Sequence, residues 1–218
     1  MHHKILCVFA LFAAFSFFSC SDNEADVVSV SSTLVLDFND NDSNPQVRLA
    51  VFFQLANEAQ RSEHFVVTHE ESGYSWTVSN PGIFSGLNKS YAYSANLSVP
   101  EGEDFPSGSY SVVYYDAAGN EDEAKFSVNY DKRILKSKVD TFSEFLSNSN
   151  QNIAVYDEDD ELLFMGKAKS AWKSNDAILK DYKLAEIKRI CYVTPGNTIV
   201  CMMPAEKLKE NPAASESK

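Results

Sequence analysis

Between residues 27 and 130, apolar and polar side chains alternate with a period of two in one segment after another. Residues 47–55 and 91–99 show this alternation most clearly. Because successive side chains of a β-strand point to opposite faces, each segment predicts a strand with one row in a core and the other towards water. About seven such segments, separated by turn residues, predict an antiparallel β-sandwich.

The last hairpin of this region carries a short motif. It reads SGSYSV at residues 107–112 and, after one more residue, YYDAAGN at residues 114–120. This motif resembles the closing hairpin of bacterial Ig-like modules. The resemblance implies an Ig-like β-sandwich in which Tyr110 packs at a corner and the DAAGN residues form the turn. It also implies a spacer or binding platform rather than a catalyst, although the Cys…Trp…Cys pattern of antibody domains is absent.

From residue 131 the pattern changes to mixed helical and strand periodicity, which predicts a small α+β unit over residues 131–205. A unit of about 75 residues has marginal stability by itself, so we expect it to pack on the sandwich. Residues 206–218, rich in Lys, Glu, Ala and Ser, are predicted to be a disordered tail. The elements expected within the unit are helices at 139–146 and 176–184, strands at 153–156 and 162–165, and a hairpin over 190–201.

The N-terminus reads MHHKILCVFALFAAFSFFSC. Its apolar run, residues 5–18, has 14 residues and one serine, whereas a membrane-spanning helix needs about 20. The length fits the core of a secretory signal. The run ends at Ser19-Cys20, and acidic residues follow at once.

A small residue directly before a cysteine at this junction resembles the signal of bacterial lipoproteins, although Phe17 stands where an aliphatic residue is usual. The resemblance implies that residues 1–19 are a signal peptide, that Cys20 carries diacylglyceryl and a fatty acyl chain such as palmitate, and that residues 20–26 are an acidic tether. Each buried methylene contributes about 0.8 kcal/mol, so several chains hold a protein on the membrane. The alternative is an ordinary signal cut elsewhere, with Cys20 a plain thiol.

The resemblance implies a lipid-anchored protein of the bacterial cell envelope. We expect it at the outer membrane, and its periplasmic face and its surface face are the two alternatives. Lys and Arg number 19 against 31 Asp and Glu, a formal net charge of −12. That balance argues against a nucleic-acid partner, because phosphate binding needs a basic face.

Two cysteines, Cys191 and Cys201, remain once the leader and Cys20 are set aside. They flank a Pro-Gly-Asn turn. If that turn is a three-residue loop, the two cysteines face each other at a separation that permits a disulfide. A loop of two residues would shift the register by one and leave two free buried thiols.

Motifs for catalysis and for metal or cofactor binding are missing. The acidic stretch 157–161 lacks the EF-hand order, and the string around His64 and His69 is not HExxH. The G-x-S-x-G, Walker and GxGxxG motifs do not occur. We therefore expect no catalytic residues, no metal and no cofactor.

Tyrosines are numerous for a single sandwich core. Tyr91, Tyr93, Tyr114 and Tyr115 form a candidate binding surface, because exposed aromatic side chains recognise partners well. Tyr114 and Tyr115 are adjacent, so one of them should face outward. The alternative is a tyrosine-rich core next to the second unit.

The sequence thus favours a non-enzymatic, lipid-anchored envelope protein whose Ig-like module binds a protein or glycan, or is a structural element of the cell surface. A second hypothesis is an accessory subunit of an envelope complex that docks through residues 131–205. The third is a hydrolase that the motifs do not reveal.

Overall fold

The computed structural model describes residues 27–56, 61–86, 89–146 and 148–209. The predicted signal peptide, Cys20 and the tether lie outside these residues. Within them the chain is mainly β with one short α-helix, which confirms the predicted class. No helix in this part of the chain has the length and the apolar character needed to cross a membrane.

The described residues form thirteen strands and four helical segments. The strands are β1 (Val27–Asp37), β2 (Gln46–Leu55), β3 (Ser62–His69), β4 (Ser75–Val78), β5 (Gly82–Gly86), β6 (Lys89–Ser98), β7 (Gly108–Asp116), β8 (Glu121–Val128), β9 (Asn150–Tyr156), β10 (Leu162–Gly166), β11 (Ile187–Val193), β12 (Ile199–Met202) and β13 (Glu206–Lys207). The helical segments are α1 (Asn175–Asp181) and 3₁₀ turns at Lys132–Lys136, Phe142–Phe145 and Pro195–Asn197.

These strands make two sheets. The larger sheet has the order β10-β9-β11-β12-β1-β2-β6-β5, with β13 paired to β11, and the smaller has the order β4-β3-β7-β8. The strand pairs are antiparallel except for β1 and β12, which run parallel from Leu34 opposite Ile199 to Asp37 opposite Met202.

The main core lies between the two sheets. Alternate residues of β2, such as Leu49, Val51 and Phe53, face alternate residues of β3 and β7. The Phe53 and Phe65 rings, one from each sheet, lie 4.6 Å apart between centroids. The predicted alternation therefore becomes a sandwich because one row of each strand is removed from water.

Residues 131–205 add strands to the larger sheet of the sandwich. β12 lies between β1 and β11, so the sheet continues without a break from the first segment into the second. Phe142 and Leu146 belong to the main core, although their segment is a 3₁₀ turn and not the predicted α-helix. The second predicted helix forms as α1, where the Ser174 hydroxyl accepts from the N–H of Ala177.

The structure corrects the predicted disulfide. Cys191 pairs with Met202 and Cys201 pairs with Tyr192, so the two cysteines are one register position apart. Adjacent positions point to opposite faces of a sheet, and both thiols are free and buried. The cause is the turn: the N–H of Thr194 donates to Ile199 and leaves a four-residue loop.

The first residues of the predicted disordered tail are ordered. Glu206 and Lys207 form β13 against β11, and Leu208 is buried in a small core beside α1. The tail from residue 210 onwards lies outside the described residues.

The β7–β8 hairpin has the turn that the motif predicts. The Asp116 carboxylate accepts from the N–H groups of Ala118 and Asn120 at 2.8 and 2.9 Å, and Gly119 adopts a φ of +83°. At the start of β7, the Tyr110 hydroxyl donates to the carbonyl of Pro106. These contacts satisfy backbone groups at both ends of the hairpin.

Candidate functional site

The four candidate tyrosines lie in three different places. Tyr114 is 2% exposed and its hydroxyl lies 2.7 Å from Ser62 Oγ, so its assignment to a binding surface is wrong. Alternate residues of β7 point into the core, and Tyr114 lies four residues after the buried Tyr110, so both side chains point inward. Tyr115 points outward from the smaller sheet and stacks on His64, with ring centroids 4.3 Å apart.

Tyr91 and Tyr93 lie on the larger sheet, on the face turned away from the smaller sheet. Alternate residues of most of its strands form this outer face, which also carries Asp37, Arg48, Gln54 and Arg189. Its apolar members are Val35, Ala50, Phe52, Phe84, Tyr91, Tyr93, Ala95, Ala154, Tyr156, Leu162, Met165, Cys191, Val193, Val200 and Met202. Sequence reasoning found two of these residues.

Aromatic rings cover the β5–β6 end of the outer face. Tyr93 stacks on Phe52 at 5.3 Å between ring centroids, and Phe84 lies 6.2 Å from Tyr91. Phe84 is 59% exposed. A glycine shapes this end, because a Cβ at Gly82 would lie 2.5 Å from the Tyr93 ring. The glycine therefore lets the tyrosine lie flat across the edge strand.

The middle of the outer face is a row of small and medium apolar side chains. Val35, Ala50, Cys191 and Met202 pack against one another across four neighbouring strands. In the part of the chain that the structure describes, every residue of this cluster comes from the larger sheet itself. These four residues are nevertheless buried, each 6% exposed or less, so the exposed large apolar side chains of the outer face are Phe84, Leu162 and Met165 at its two edges.

A partly buried ion cluster lies next to this row on the same face. The Asp37 carboxylate accepts from Arg48 Nε at 3.0 Å and from Arg189 Nη1 at 2.8 Å. Arg189 also donates to the carbonyls of Met203, Met202 and Phe38, and Arg48 donates to the carbonyl of Ala95. Nearly every donor of the cluster is engaged, which marks it as structural rather than as an open anion site.

Beside the ion cluster, a cleft of about 760 Å³ opens at one end of the sandwich. The β1–β2 loop, the β6–β7 connection and the 3₁₀ turn at Lys132–Lys136 form its walls. Glu101, Glu103 and Asp104 give one wall a negative charge, and Lys136 lies on another. The cleft is wide, its lining is about equally polar and apolar, and its one aromatic residue, Phe105, is buried.

The groups that could do chemistry have structural partners. His69 Nδ1 lies 2.8 Å from Ser72 Oγ, but its Nε2 faces the carbonyl of Ser107 at 3.3 Å and not a carboxylate. Burial raises the pKa of the Cys201 thiol to about 12, so it is protonated at neutral pH. Among the described residues, no group of three or more His, Cys, Asp or Glu could hold a metal ion.

The acidic stretch 157–161 is a hairpin turn between β9 and β10. Asp157 Oδ1 accepts from the N–H groups of Asp159 and Glu161 at 3.1 and 2.8 Å. This carboxylate therefore builds the turn.

No protein-family model matches the chain, and no curated protein matches it significantly. The arrangement that stands out from the residues alone is the outer face, which can bind an apolar surface by excluding water from both.

Proposed function

We propose that this chain is a non-enzymatic, lipid-anchored protein of the bacterial cell envelope that binds a partner protein through the outer face of its larger sheet. The observation that carries the proposal is that three large apolar side chains of this face, Phe84, Leu162 and Met165, are exposed at the two edges of the sheet. Large apolar side chains that stay exposed on one face of a sheet are typical of a binding surface.

The exposed large side chains support this choice. Phe84 at one edge of the sheet and Leu162 and Met165 at the other are 59%, 52% and 45% exposed. All three belong to the outer face, so exposed apolar side chains lie at both edges of the sheet, on β5 and on β10. A protein partner suits such a broad, shallow surface better than a glycan, which would require more hydrogen-bonding groups.

The lipid anchor rests on the N-terminal signal and is compatible with where the fold begins. Val27 opens β1 seven residues after Cys20, so the anchor would hold this end of the sandwich within about 24 Å of the membrane. β1 has 11 residues and extends about 36 Å, at 3.3 Å per residue. Its far end, with the ion cluster and the cleft, would therefore point away from the membrane.

An accessory role in an envelope complex involves the same surface. The second hypothesis placed docking within residues 131–205, and β9, β10, β11 and β12 of that segment supply about half of the outer face. The two hypotheses therefore predict overlapping contacts. The roles of His69, Cys201 and Asp157 in packing and turns favour binding over hydrolysis.

The anchor is tested by the mass of the mature N-terminus and by detergent phase partitioning. We expect the wild-type protein to carry the lipid mass on Cys20 and to enter the detergent phase. A Cys20→Ser variant should lack the lipid and stay in the aqueous phase. A wild-type protein without added mass would refute the anchor.

The binding face is tested by photo-crosslinking in intact cells. A crosslinking amino acid replaces Phe84 on the outer face, and the matched control replaces Thr77, an exposed residue of β4 in the smaller sheet. We expect a discrete adduct from position 84 that is weak or absent from position 77. Equal adducts from both positions, or none from either, would contradict the proposal.

A further inference from the structure

Three aromatic rings meet one ammonium group beside α1. The Nζ of Lys169 lies 5.9 Å from the ring centroid of Phe164, 4.9 Å from that of Trp172 and 5.3 Å from that of Tyr182. The rings also pack on each other, with centroids 4.9 to 5.9 Å apart. We call these three rings the aromatic platform.

A carboxylate completes the platform. Asp181 Oδ2 accepts from Lys169 Nζ and from the Trp172 indole N–H, both at 2.9 Å. Its hydrogen bond to Lys169 lowers the pKa of Asp181, and the same bond raises the pKa of Lys169. Both groups are therefore charged at neutral pH. The site thus combines ring faces with one negative charge, which is the composition that binds an organic cation.

Packed secondary structure and a small core fix the positions of the three rings. Phe164 lies on β10, Trp172 lies in the connection that follows, and Tyr182 caps α1, where its N–H donates to Ile178. All three pack on a small core that includes Ile178, which is buried. Their positions depend on packed elements, so the platform persists when its occupant leaves.

Lys169 is the flexible member of the site. Its side chain is 47% exposed, and its four-carbon stem can carry the ammonium into water. A primary ammonium is strongly hydrated, so leaving the platform costs it little. A quaternary ammonium has no N–H groups and is poorly hydrated, so it gains less hydration free energy on moving into water. Binding to the ring faces is therefore more favourable for a quaternary ammonium than for a primary one.

We propose that the aromatic platform is a binding site for a choline-type quaternary ammonium, and that Lys169 is a built-in occupant which the ligand displaces. The site lies on the side of the larger sheet opposite the outer face, since Phe164 and Met165 alternate along β10. The inference therefore stands apart from the proposed partner binding and from the lipid anchor.

The test uses the mature protein, with tetramethylammonium chloride as the probe and the fluorescence of Trp172 as the signal. A Trp76→Phe background removes the other tryptophan, which lies between the sheets beside Phe105. Ammonium chloride at equal ionic strength is the reference titration. We expect a saturable change with tetramethylammonium and none with ammonium.

Variants distinguish ligand binding from a purely structural contact. Lys169→Met removes the occupant's charge and should tighten binding roughly five- to tenfold, because the ligand no longer competes with it. Lys167→Met, an exposed lysine two residues earlier, should leave the affinity unchanged. Tyr182→Leu should abolish binding while circular dichroism reports a native fold.

The proposal is overturned if neither wild type nor Lys169→Met shows saturation while both are folded. It is also overturned if Lys167→Met and Lys169→Met change the affinity equally. Free choline and phosphatidylcholine vesicles then separate a soluble ligand from a lipid headgroup. Saturation with choline alone indicates the former, and saturation with vesicles as well indicates the latter.

Discussion

Arg189 donates to the Asp37 carboxylate at 2.8 Å across 152 positions of sequence. The bond joins β1 to β11, although β12 lies between them in the sheet. Both side chains are less than one fifth exposed, so the interaction is poorly screened by water. It connects the first strand of the described chain to the segment that the sequence assigns to a second unit.

Removing Arg189 should destabilise the fold strongly. Arg189→Met leaves the largely buried Asp37 with one arginine and frees backbone carbonyls, so the free energy of unfolding should fall by about 2 to 3 kcal/mol in urea titrations. The control is Arg133→Met, which breaks an ion pair whose arginine is 78% exposed, and should cost less than about 1 kcal/mol. Similar losses in the two variants would contradict this reading.

The two predicted units should unfold together. The main core combines Leu34 and Phe53 from the first segment with Phe142, Cys201 and Met203 from the second. We expect a single transition in thermal and urea unfolding, with fluorescence and circular dichroism changing together. A fragment ending at residue 130 should not fold stably, because it exposes the edge of β1. Two separate transitions would show independent units.

The thiols should be protected in the native state and free after unfolding. Burial raises the pKa of both Cys191 and Cys201, so a thiol reagent at pH 8 should react slowly with the folded protein. In denaturant, without reductant, a protein that carries the proposed lipid on Cys20 should titrate two thiols. No reactive thiol under those conditions would mean that a disulfide exists after all.

The β7–β8 turn should make stability depend on pH. Burial acts to raise the pKa of Asp116, but hydrogen bonds from Asn120 and Ala118 outweigh it, and the pKa lies below its usual value. A carboxylate with a lowered native pKa stabilises the fold above its unfolded pKa of about 3.9, and that contribution disappears as the pH falls through the native pKa.

Asp116→Asn should therefore cost about 1.5 to 3 kcal/mol at pH 7, and the difference from wild type should shrink as the pH drops below about 4. The comparison uses urea unfolding at both pH values. Asp159→Asn, at the exposed tip of the β9–β10 turn, is the control and should change little. A cost for Asp116→Asn that is independent of pH would contradict the charge argument.

Gly82 should control the shape of the outer face. A Cβ there meets the far end of the Tyr93 ring, a group that can move, so Gly82→Ala should displace this ring from Phe52 with a small loss of stability. Adducts from the crosslinker at position 84 should decrease. Gly73→Ala is the control for glycine replacement, since no heavy atom lies within 4 Å of a Cβ there. Gly73→Ala should lower stability, because Gly73 has a φ of +68° that favours glycine. The yield of adducts from position 84 should not change in this variant.

Local pattern was enough to predict most strands and the mainly β class. The alternation of β2 and β6 follows from one buried row and one outward row. The long-range pairing of β1 with β12 was not predicted, because a parallel contact leaves no turn between its strands. One signal was present: residues 34–36 near the end of β1 and all of β12 are apolar on both sides, which is typical of central strands.

The candidate site was predicted only in part. Tyr91 and Tyr93 do lie on the outer face, whereas the orientation of Tyr114 depends on its parity with Tyr110 in β7. The disulfide failed for a similar reason, since one more residue in the loop before Ile199 turns Cys201 to the other side of the sheet. A register shift of one residue moves every side chain of a strand to the opposite face of the sheet, and amino-acid composition does not determine the register.

The place where β1 enters the sheet has a mechanical consequence. β1 is bonded to β2 along its length and to β12 over its last four residues, and its first residue is the one nearest to Cys20. Force transmitted from an anchor would pull β1 lengthwise, so that the hydrogen bonds on its flanks are sheared together and not opened one at a time. A fold pulled by its first strand in this way would resist a sustained force without unravelling from that end.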